Sequence, residues 1–397
     1  MQEIYEKSAR KINSVSTEFT RGIMDSIKWN ARMIGIKGAR GVGKTTLLLQ
    51  YIKKNITDRE EVLFVSLDNL WFSEHSLSGL TNDFVQKGGR YLFIDEVHKY
   101  PDWSVEIKNI YDDFPELKIV FTGSSLLEIL NARADLSRRA LVYSMQGLSF
   151  REYLNLTTGT VFPVFTLKEI LKRHGEIAFE INKAIKPLRH FQAYLKLGYF
   201  PFFAEVPELY HQRIEEVANM ILEIELPMLR NVEISYIPKL KQLLQIIAET
   251  APFMPNVSKL SEKIGINRNT LATYLFFLQE AHLIRNLYRD SKGITRLQKP
   301  DKIFLENTNY MYAFAPDSVN TGNLRETFFM NQLTNMHRVE YTDQGDFLVD
   351  ARYVFEIGGK LKSKKQIQSV PNSYIAADNI EYGHSNTIPL WMFGFLY

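Results

Sequence analysis

The chain has no cysteine among its 397 residues. Disulfides, thiolate-held zinc, iron–sulfur clusters and thiol nucleophiles are therefore excluded for these residues. An excess of one charge is also missing, since 48 Lys and Arg face 45 Asp and Glu and the net charge is only +3. The total charge alone therefore does not indicate a nucleic-acid partner. The lack of cysteine is typical of reducing compartments, and we expect a cytoplasmic protein.

Long apolar runs are missing too. No stretch approaches the roughly 18 apolar residues of a membrane-spanning helix, so we expect no membrane partner. The first seven residues, MQEIYEK, do not have the apolar core of a signal peptide. The length and the 45% hydrophobic content are those of a globular protein with two or three domains.

The first 149 residues alternate short apolar runs with helical stretches. The apolar runs lie at residues 33–36, 62–67, 91–94 and 118–121. Short apolar strands separated by helices predict an α/β fold with a parallel sheet covered on both faces. Beyond residue 150 the pattern is mostly helical, and after Pro300 it changes to mixed strands and turns.

A glycine-rich loop directly follows the first apolar run. Residues 38–45 match the phosphate-loop pattern G-x-x-x-x-G-K-[ST] in full, between a strand and a helix as the motif requires. Glycines let backbone N–H groups approach phosphate oxygens, and the helix N-terminus attracts the anion. We expect Lys44 to neutralise the β- and γ-phosphates and the Thr45 hydroxyl to bind Mg²⁺. The predicted phosphate-binding positions are Gly38, Ala39, Arg40, Gly41, Val42, Gly43, Lys44, Thr45 and Thr46.

Two carboxylates end the third apolar run. Open α/β sheets bind ligands at the carboxyl ends of their strands, so Asp95 is predicted to hold Mg²⁺ through water and Glu96 to polarise the attacking water. Ser124 or Thr122, at the end of the next run, is a candidate contact to the γ-phosphate or the lytic water. For His98 we favour a surface loop over a role as phosphate sensor.

These motifs resemble an AAA-type ATPase. The segments that carry the resemblance are residues 38–46, 93–96 and 121–125. The resemblance is more specific to the archaeal and bacterial ATPases whose AAA domain is followed by a C-terminal domain of unknown function. The segments that resemble this group are residues 137–139, 147–154, 198–201 and 299–303. The resemblance implies ATP as the nucleotide and Arg139 as the arginine-finger equivalent. It covers nearly the whole chain.

The resemblance and the pattern together predict four regions. Residues 1–155 are expected to form the AAA-type P-loop domain and residues 156–235 a helical subdomain. Residues 236–298 are expected to form a winged helix-turn-helix. Residues 299–397 are expected to form an α+β domain that resembles a degenerate restriction-endonuclease-like fold.

The helix-turn-helix prediction rests on a short pattern. Residues 258–264 and 268–280 read as helices, residues 265–267 as the turn, and residues 283–287 and 295–297 as wing strands. Between residues 256 and 299 there are eight basic and three acidic residues, a local excess that DNA binding needs. The alternative is a winged helix used for packing or protein contact. The candidate DNA contacts are Arg268, Asn269, Thr273 and Lys292.

The C-terminal third of the proteins in this family resembles restriction-endonuclease-like folds. Such a site needs carboxylates for Mg²⁺ and a nearby lysine. Here Glu326 is the candidate on a helix, Asp346 on a first strand and Glu356 on a second. The expected Glu-x-Lys is missing because residue 358 is glycine, and Lys360 lies about 6.6 Å further along the strand. A degenerate fold kept for binding or architecture is therefore favoured over active cleavage.

The sequence thus predicts Mg²⁺-dependent ATP binding and slow or partner-stimulated hydrolysis that rearranges a winged-helix and C-terminal module. The alternatives are a nucleotide-gated DNA-binding or regulatory switch with negligible turnover and, less favoured, an ATP-dependent nuclease. The expected partners are ATP and either double-stranded DNA or a protein, and oligomerisation is compatible with the sequence.

Overall fold

A computed structural model describes residues 2–123, 136, 138–289 and 299–397. The chain divides into two compact units, Met1–Gly147 and Leu148–Tyr397. Within the described residues, no helix has the length and apolar character required to cross a membrane.

The first unit is built on a five-stranded parallel sheet, counted over the described residues. Its strands are β1 (Met33–Lys37), β2 (Val62–Ser66), β3 (Tyr91–Asp95), β4 (Lys118–Gly123) and β5 (Leu141–Ser144), in the order β2-β3-β4-β1-β5. β1 to β4 are buried along nearly their whole length, which explains their continuous apolar runs. The carboxyl ends of β1, β3 and β4 are neighbours on one edge, and the predicted functional residues follow them.

Helices cover this sheet. They are α1 (Gln2–Ser14), α2 (Ile23–Ser26), α3 (Lys44–Asn55), α4 (Leu77–Gln86) and α5 (Trp103–Asp113). A buried cluster that includes Leu80, Ile107 and Phe121 joins the last two helices to β4. The α/β fold class predicted for this region is therefore correct.

The second unit begins with a helical region. Ser149 and Glu152 form a capping box, in which each side chain accepts a hydrogen bond from the other's backbone N–H and fixes the start of the first helix. The helices of this region are α6 (Phe150–Thr158), α7 (Leu167–Ala184), α8 (Pro187–Leu197), α9 (Tyr210–Met220), α10 (Leu226–Arg230) and α11 (Ile237–Thr250). Residue 155, the predicted end of the first domain, falls inside α6. The predicted boundaries at residues 235 and 298 stay predictions.

Two helices follow where the helix-turn-helix was predicted. α12 (Val257–Ile264) and α13 (Arg268–Glu280) are joined by a turn in which Gly265 has φ of +71°. β6 (Ile284–Leu287) comes next and pairs in antiparallel fashion with β7 (Lys302–Leu305). The predicted second wing strand, residues 295–297, lies outside the described residues.

The last hundred residues combine helices with a mixed sheet. The sheet of the described residues runs β12-β11-β10-β9-β8. Its strands are β8 (Val339–Glu340), β9 (Phe347–Val349), β10 (Tyr353–Gly358), β11 (Ser373–Ala377) and β12 (Thr387–Pro389), accompanied by α14 (Thr308–Phe314) and α15 (Thr321–Leu333). Phe329 of α15 packs on Phe347 and Phe355 at ring distances of 5.3 and 4.9 Å, which places one face of the helix on the sheet.

Candidate functional site

The predicted phosphate loop lies between β1 and α3. Gly41 and Gly43 have φ of +85° and +96°, a conformation that residues with a side chain rarely adopt. At Gly38 the constraint is space for a side chain, since a Cβ atom built there would lie 2.2 Å from the carbonyl oxygen of Met145. The motif glycines thus permit the turn and the close approach of another backbone segment.

Lys44 is the first residue of α3 and is buried within the loop. Its Nζ donates hydrogen bonds of 2.9 Å to the carbonyl oxygens of both Gly38 and Ala39. The ammonium is therefore held against the loop backbone, at the helix end where anions are stabilised. The structure brings together, as one loop and first helical turn, the nine predicted positions from Gly38 to Thr46.

Thr45 and Asp95 meet at the carboxyl edge of the sheet. The Thr45 hydroxyl donates a 2.7 Å hydrogen bond to Oδ2 of Asp95, and the Thr122 hydroxyl donates to Oδ1 of the same carboxylate. Thr122 also accepts a 3.3 Å hydrogen bond from the backbone N–H of Glu96. Thr122 therefore orients both carboxylate residues that follow β3.

The donor set at this edge suits Mg²⁺. Magnesium prefers oxygen ligands and commonly takes one or two from the protein, with water and phosphate oxygens completing its shell. The Thr45 hydroxyl and the Asp95 carboxylate are oxygen donors that already lie within hydrogen-bonding distance. Among the described residues no group of three or more His, Cys, Asp or Glu is arranged to hold a metal.

Glu96 has an unusual backbone and a buried neighbour. Its φ and ψ are +54° and +42°, in the left-handed region that non-glycine residues seldom occupy. Its Oε2 lies 3.5 Å from Nε2 of His98, whose side chain is completely buried. Burial, reinforced by the cations Lys99, Lys44 and Arg40, lowers the pKa of His98 to about 3.

The expectation of a surface position for His98 is therefore wrong. The 3₁₀ turn Val97–Lys99 turns the imidazole into the protein, beside Glu96. A histidine three residues after a strand gives no sign of its burial, because the turn that follows the strand determines where the side chain points.

Two further predicted catalytic residues are Ser124 and Arg139. Ser124 lies outside the described residues. Arg139 forms a two-point ion pair with Asp112 at the end of α5, with distances of 3.0 and 2.9 Å, at the amino edge of the sheet. That edge is opposite the phosphate loop. The assignment of Arg139 as the arginine-finger equivalent stays a prediction.

Arg21 is a component that the motifs did not indicate. It is buried, and its Nη1 donates a 2.7 Å hydrogen bond to the carbonyl oxygen of Val42 in the phosphate loop. Its Nη2 donates to the carbonyl oxygens of Gln146 and Gly147 at 2.8 and 2.9 Å. No local pattern could have identified it, because its partners are 21 to 126 residues away.

The helix-turn-helix presents a separate surface. Arg268, Asn269 and Thr273, three of the candidate DNA contacts, are exposed on the first turns of α13. Asn267 caps this helix by accepting a 2.8 Å hydrogen bond from the N–H of Thr270. The fourth candidate, Lys292, lies outside the described residues.

The C-terminal carboxylates form a second cluster. Glu326 is on α15, Asp346 immediately precedes β9, and Glu356 is on β10. Oδ2 of Asp346 accepts a 2.7 Å hydrogen bond from the N–H of Ile357, which brings Asp346 beside Glu356. Burial raises the pKa of both Glu326 and Glu356, and the charge of Asp346 raises each further.

Lysines neutralise this cluster, but Lys360 is not one of them. Lys302 pairs with Glu326, and Nζ of Lys362 lies 2.6 Å from Oε1 of Glu356. The side chain of Lys362 crosses Gly358, where an added Cβ atom would lie 2.6 Å from it. Lys360, the displaced candidate of the sequence analysis, is exposed in the turn after β10, and the chain reverses so that Lys362 reaches the carboxylate.

Two family descriptions match parts of the chain. Residues 30–154 match an AAA domain, and residues 188–315 match a domain of unknown function (DUF8612). An uncharacterized protein of Methanocaldococcus jannaschii is 27% identical over 286 residues, which are 68% of this chain and 60% of that protein. The chain thus spans well under two thirds of the length of the curated relative that it matches.

Solved structures of low identity also align. The Walker-type ATPase of Pyrococcus abyssi is 14% identical with a TM-score of 0.43, and the alignment covers 78% of this chain and 95% of that one. The Orc1 protein of Aeropyrum pernix, in complex with DNA, is 11% identical with a TM-score of 0.33, covering 80% and 92%. The family match and the parallel sheet that carries the glycine loop make residues 30–154 an AAA-type domain of the P-loop class.

Proposed function

We propose that the chain binds Mg²⁺–ATP at the phosphate loop and hydrolyses it slowly or on stimulation by a partner. The observation that carries the proposal is the 2.7 Å hydrogen bond between Thr45 and Asp95, which joins the loop to the carboxylates after β3. An isolated glycine turn has no reason to meet an acidic strand end. A nucleotide site needs both.

Each residue has a defined task in this proposal. The N–H groups of the loop and of the first turn of α3 bind the phosphates, and Lys44 neutralises their charge. Thr45 and Asp95 would hold Mg²⁺, which would supply positive charge to the phosphate oxygens. Glu96 orients the attacking water and accepts its proton. The water oxygen forms a bond to the γ-phosphorus as the bond to the bridging oxygen breaks, which releases ADP and phosphate.

Nucleotide titration tests the binding half of this proposal. We expect a fluorescent ATP analogue with Mg²⁺ to bind the wild type, and Lys44→Ala to weaken binding at least about tenfold. Lys54→Ala is the matched control, since Lys54 is an exposed lysine of the same helix. Competition by unlabelled ATP and GTP tests the choice of nucleotide. Equal affinity in wild type and Lys44→Ala would reject the proposed site.

The competing proposal is a nucleotide-gated DNA-binding or regulatory switch with negligible turnover. The exposed Arg268, Asn269 and Thr273 at the start of α13 favour it, because side chains at the start of a recognition helix reach base edges or phosphates. Binding of duplex DNA should weaken in Arg268→Ala and lose about one unit of its salt slope. Lys172→Ala, which removes an exposed charge from α7, should leave DNA binding unchanged.

For the C-terminal cluster we propose a structural rather than a nuclease role. Lys302 and Lys362 already pair with Glu326 and Glu356, two of the three carboxylates of the cluster. We expect no nicking of supercoiled plasmid with Mg²⁺ or Mn²⁺. Nicking that disappears in Glu356→Gln would favour the nuclease.

A further inference from the structure

Arg21 joins the phosphate loop to the segment at the end of the first unit. One nitrogen of its planar guanidinium donates to the carbonyl of Val42, and another donates to the carbonyls of Gln146 and Gly147. A guanidinium presents its donors in a rigid fork, so these three carbonyls hold fixed positions relative to one another.

The direction of the Val42 carbonyl determines the direction of a neighbouring N–H group of the loop. It belongs to the same planar peptide unit as the N–H of Gly43, and in a trans peptide these two groups point in opposite directions. Arg21, by holding the Val42 oxygen, therefore also fixes the direction of the Gly43 N–H. Gly41 and Gly43, on either side, have positive φ, so this stretch of backbone depends on glycine to keep its shape.

The same terminal segment touches the start of the loop. The N–H of Met145 donates a 2.7 Å hydrogen bond to the carbonyl of Lys37, and the Met145 oxygen lies against Gly38. Residues 145–147 thus contact the beginning of the loop directly and its middle through Arg21. Beyond Gly147 the chain enters the second unit, where the N–H of Leu148 donates a 2.7 Å hydrogen bond to the carbonyl of Tyr199.

We infer that Arg21 is a positioning residue that transmits nucleotide occupancy of the loop to residues 145–147 and so to the connection with the second unit. The inference rests on the proposed nucleotide binding and adds the contacts through which binding at the loop would affect residues 145–147. A phosphate that binds the Gly43 N–H reorients the Val42–Gly43 peptide. Arg21 carries that movement to the carbonyls of Gln146 and Gly147.

Hydrogen exchange of the full chain tests the inference. The probe is AMP-PNP with Mg²⁺, at a concentration shown to saturate each variant. In the wild type we expect exchange of the amides in residues 145–150 to slow at least about threefold on binding. Arg21→Lys keeps the charge, but its ammonium does not reproduce the fork, so the nucleotide-dependent change should fall to less than half. Arg21→Gln should abolish it.

Arg32→Lys is the matched control. Arg32 donates to the carbonyls of Tyr111 and Phe114 at the opposite edge of the sheet, so its loss removes a similar set of bonds without touching the loop. This variant should keep the wild-type response. A purely structural role for Arg21 would raise exchange equally with and without nucleotide.

The outcomes separate the two claims. Wild type that binds nucleotide but shows no change at residues 145–150 overturns the inference and leaves the proposed function intact. A full response in Arg21→Lys overturns it as well. Failure of the wild type to bind nucleotide overturns the proposed function and this inference with it.

Discussion

Nε2 of His98 lies 3.5 Å from Oε2 of Glu96, and the imidazole is buried beside the carboxylate proposed to orient the attacking water. Burial lowers the pKa of His98 to about 3, from 6.5 in the unfolded chain. The histidine is therefore neutral in the folded protein at physiological pH.

His98 predicts a dependence of stability on pH. Between pH 6.5 and about 3 the unfolded chain binds a proton at His98 that the folded chain does not, so stability falls as pH falls. From about pH 7 to about pH 5 the loss should be about 2 kcal/mol. Urea unfolding should show this loss in the wild type and a smaller one in His98→Gln. His75→Gln, at an exposed histidine, is the control, and equal losses in all three proteins would contradict the account.

Residue 38 must be glycine because there is no space for a side chain, which is a requirement distinct from backbone flexibility. A Cβ atom at this position would meet the Met145 carbonyl at 2.2 Å, and this neighbour is backbone that cannot rotate away. We expect Gly38→Ala to cost about 1–3 kcal/mol of stability and to weaken nucleotide binding. Gly175→Ala is the comparison, because nothing lies within 4 Å of the added atom and the helix should gain. Thermal unfolding of both variants measures the difference, and an unchanged midpoint for Gly38→Ala would contradict the packing.

Mutation of Thr122 should affect turnover more than nucleotide binding. Its hydroxyl bonds Asp95 and the N–H of Glu96, so Thr122→Val keeps the volume but leaves both groups without this partner. We expect kcat to fall about tenfold or more with a smaller change in KM, because the loop and Lys44 are untouched. Thr122→Ser keeps the hydroxyl and should retain most of the turnover. If the Val and Ser variants turned over equally, Thr122 would have no positioning role.

The motif residues could be predicted because their signals are local. The glycine pattern requires a strand before it and a helix after it, and residues 38–46 meet both conditions. The two helices at 257–264 and 268–280 begin and end within a residue of their predicted limits. Asn256 and Asn267 cap their first turns, and Gly265 adopts the left-handed conformation between them.

The contacts between distant segments could not be predicted. Arg21 finds its partners through tertiary folding, and nothing near residue 21 suggests a nucleotide site. His98 is buried by a turn that the apolar pattern does not show. The sequence offered only the displaced Lys360 near Glu356, whereas the path of the chain after Gly358 brings Lys362 to this carboxylate.

Mutation of Lys362 and of Lys360 should have unequal effects on stability. Lys362→Ala leaves the buried carboxylate of Glu356 without its ion-pair partner and should cost about 1–3 kcal/mol. Lys360→Ala removes an exposed side chain and should change stability by less than about 0.5 kcal/mol. Urea unfolding compares them directly. A larger loss for Lys360→Ala would contradict the pairing of Lys362 with Glu356.

Steady-state hydrolysis of ATP with Mg²⁺, with and without duplex DNA, tests the central claim most directly. The proteins to compare are wild type, Lys44→Ala and Glu96→Gln, with Lys54→Ala and the exposed Glu116→Gln as controls. The account predicts turnover that disappears in Lys44→Ala and Glu96→Gln and persists in both controls. Stimulation of turnover by DNA would support a DNA-binding role for the helix-turn-helix. Turnover in Lys44→Ala equal to that of the wild type would contradict it. Nucleotide binding that depends on Lys44 without any turnover would contradict hydrolysis and favour the switch.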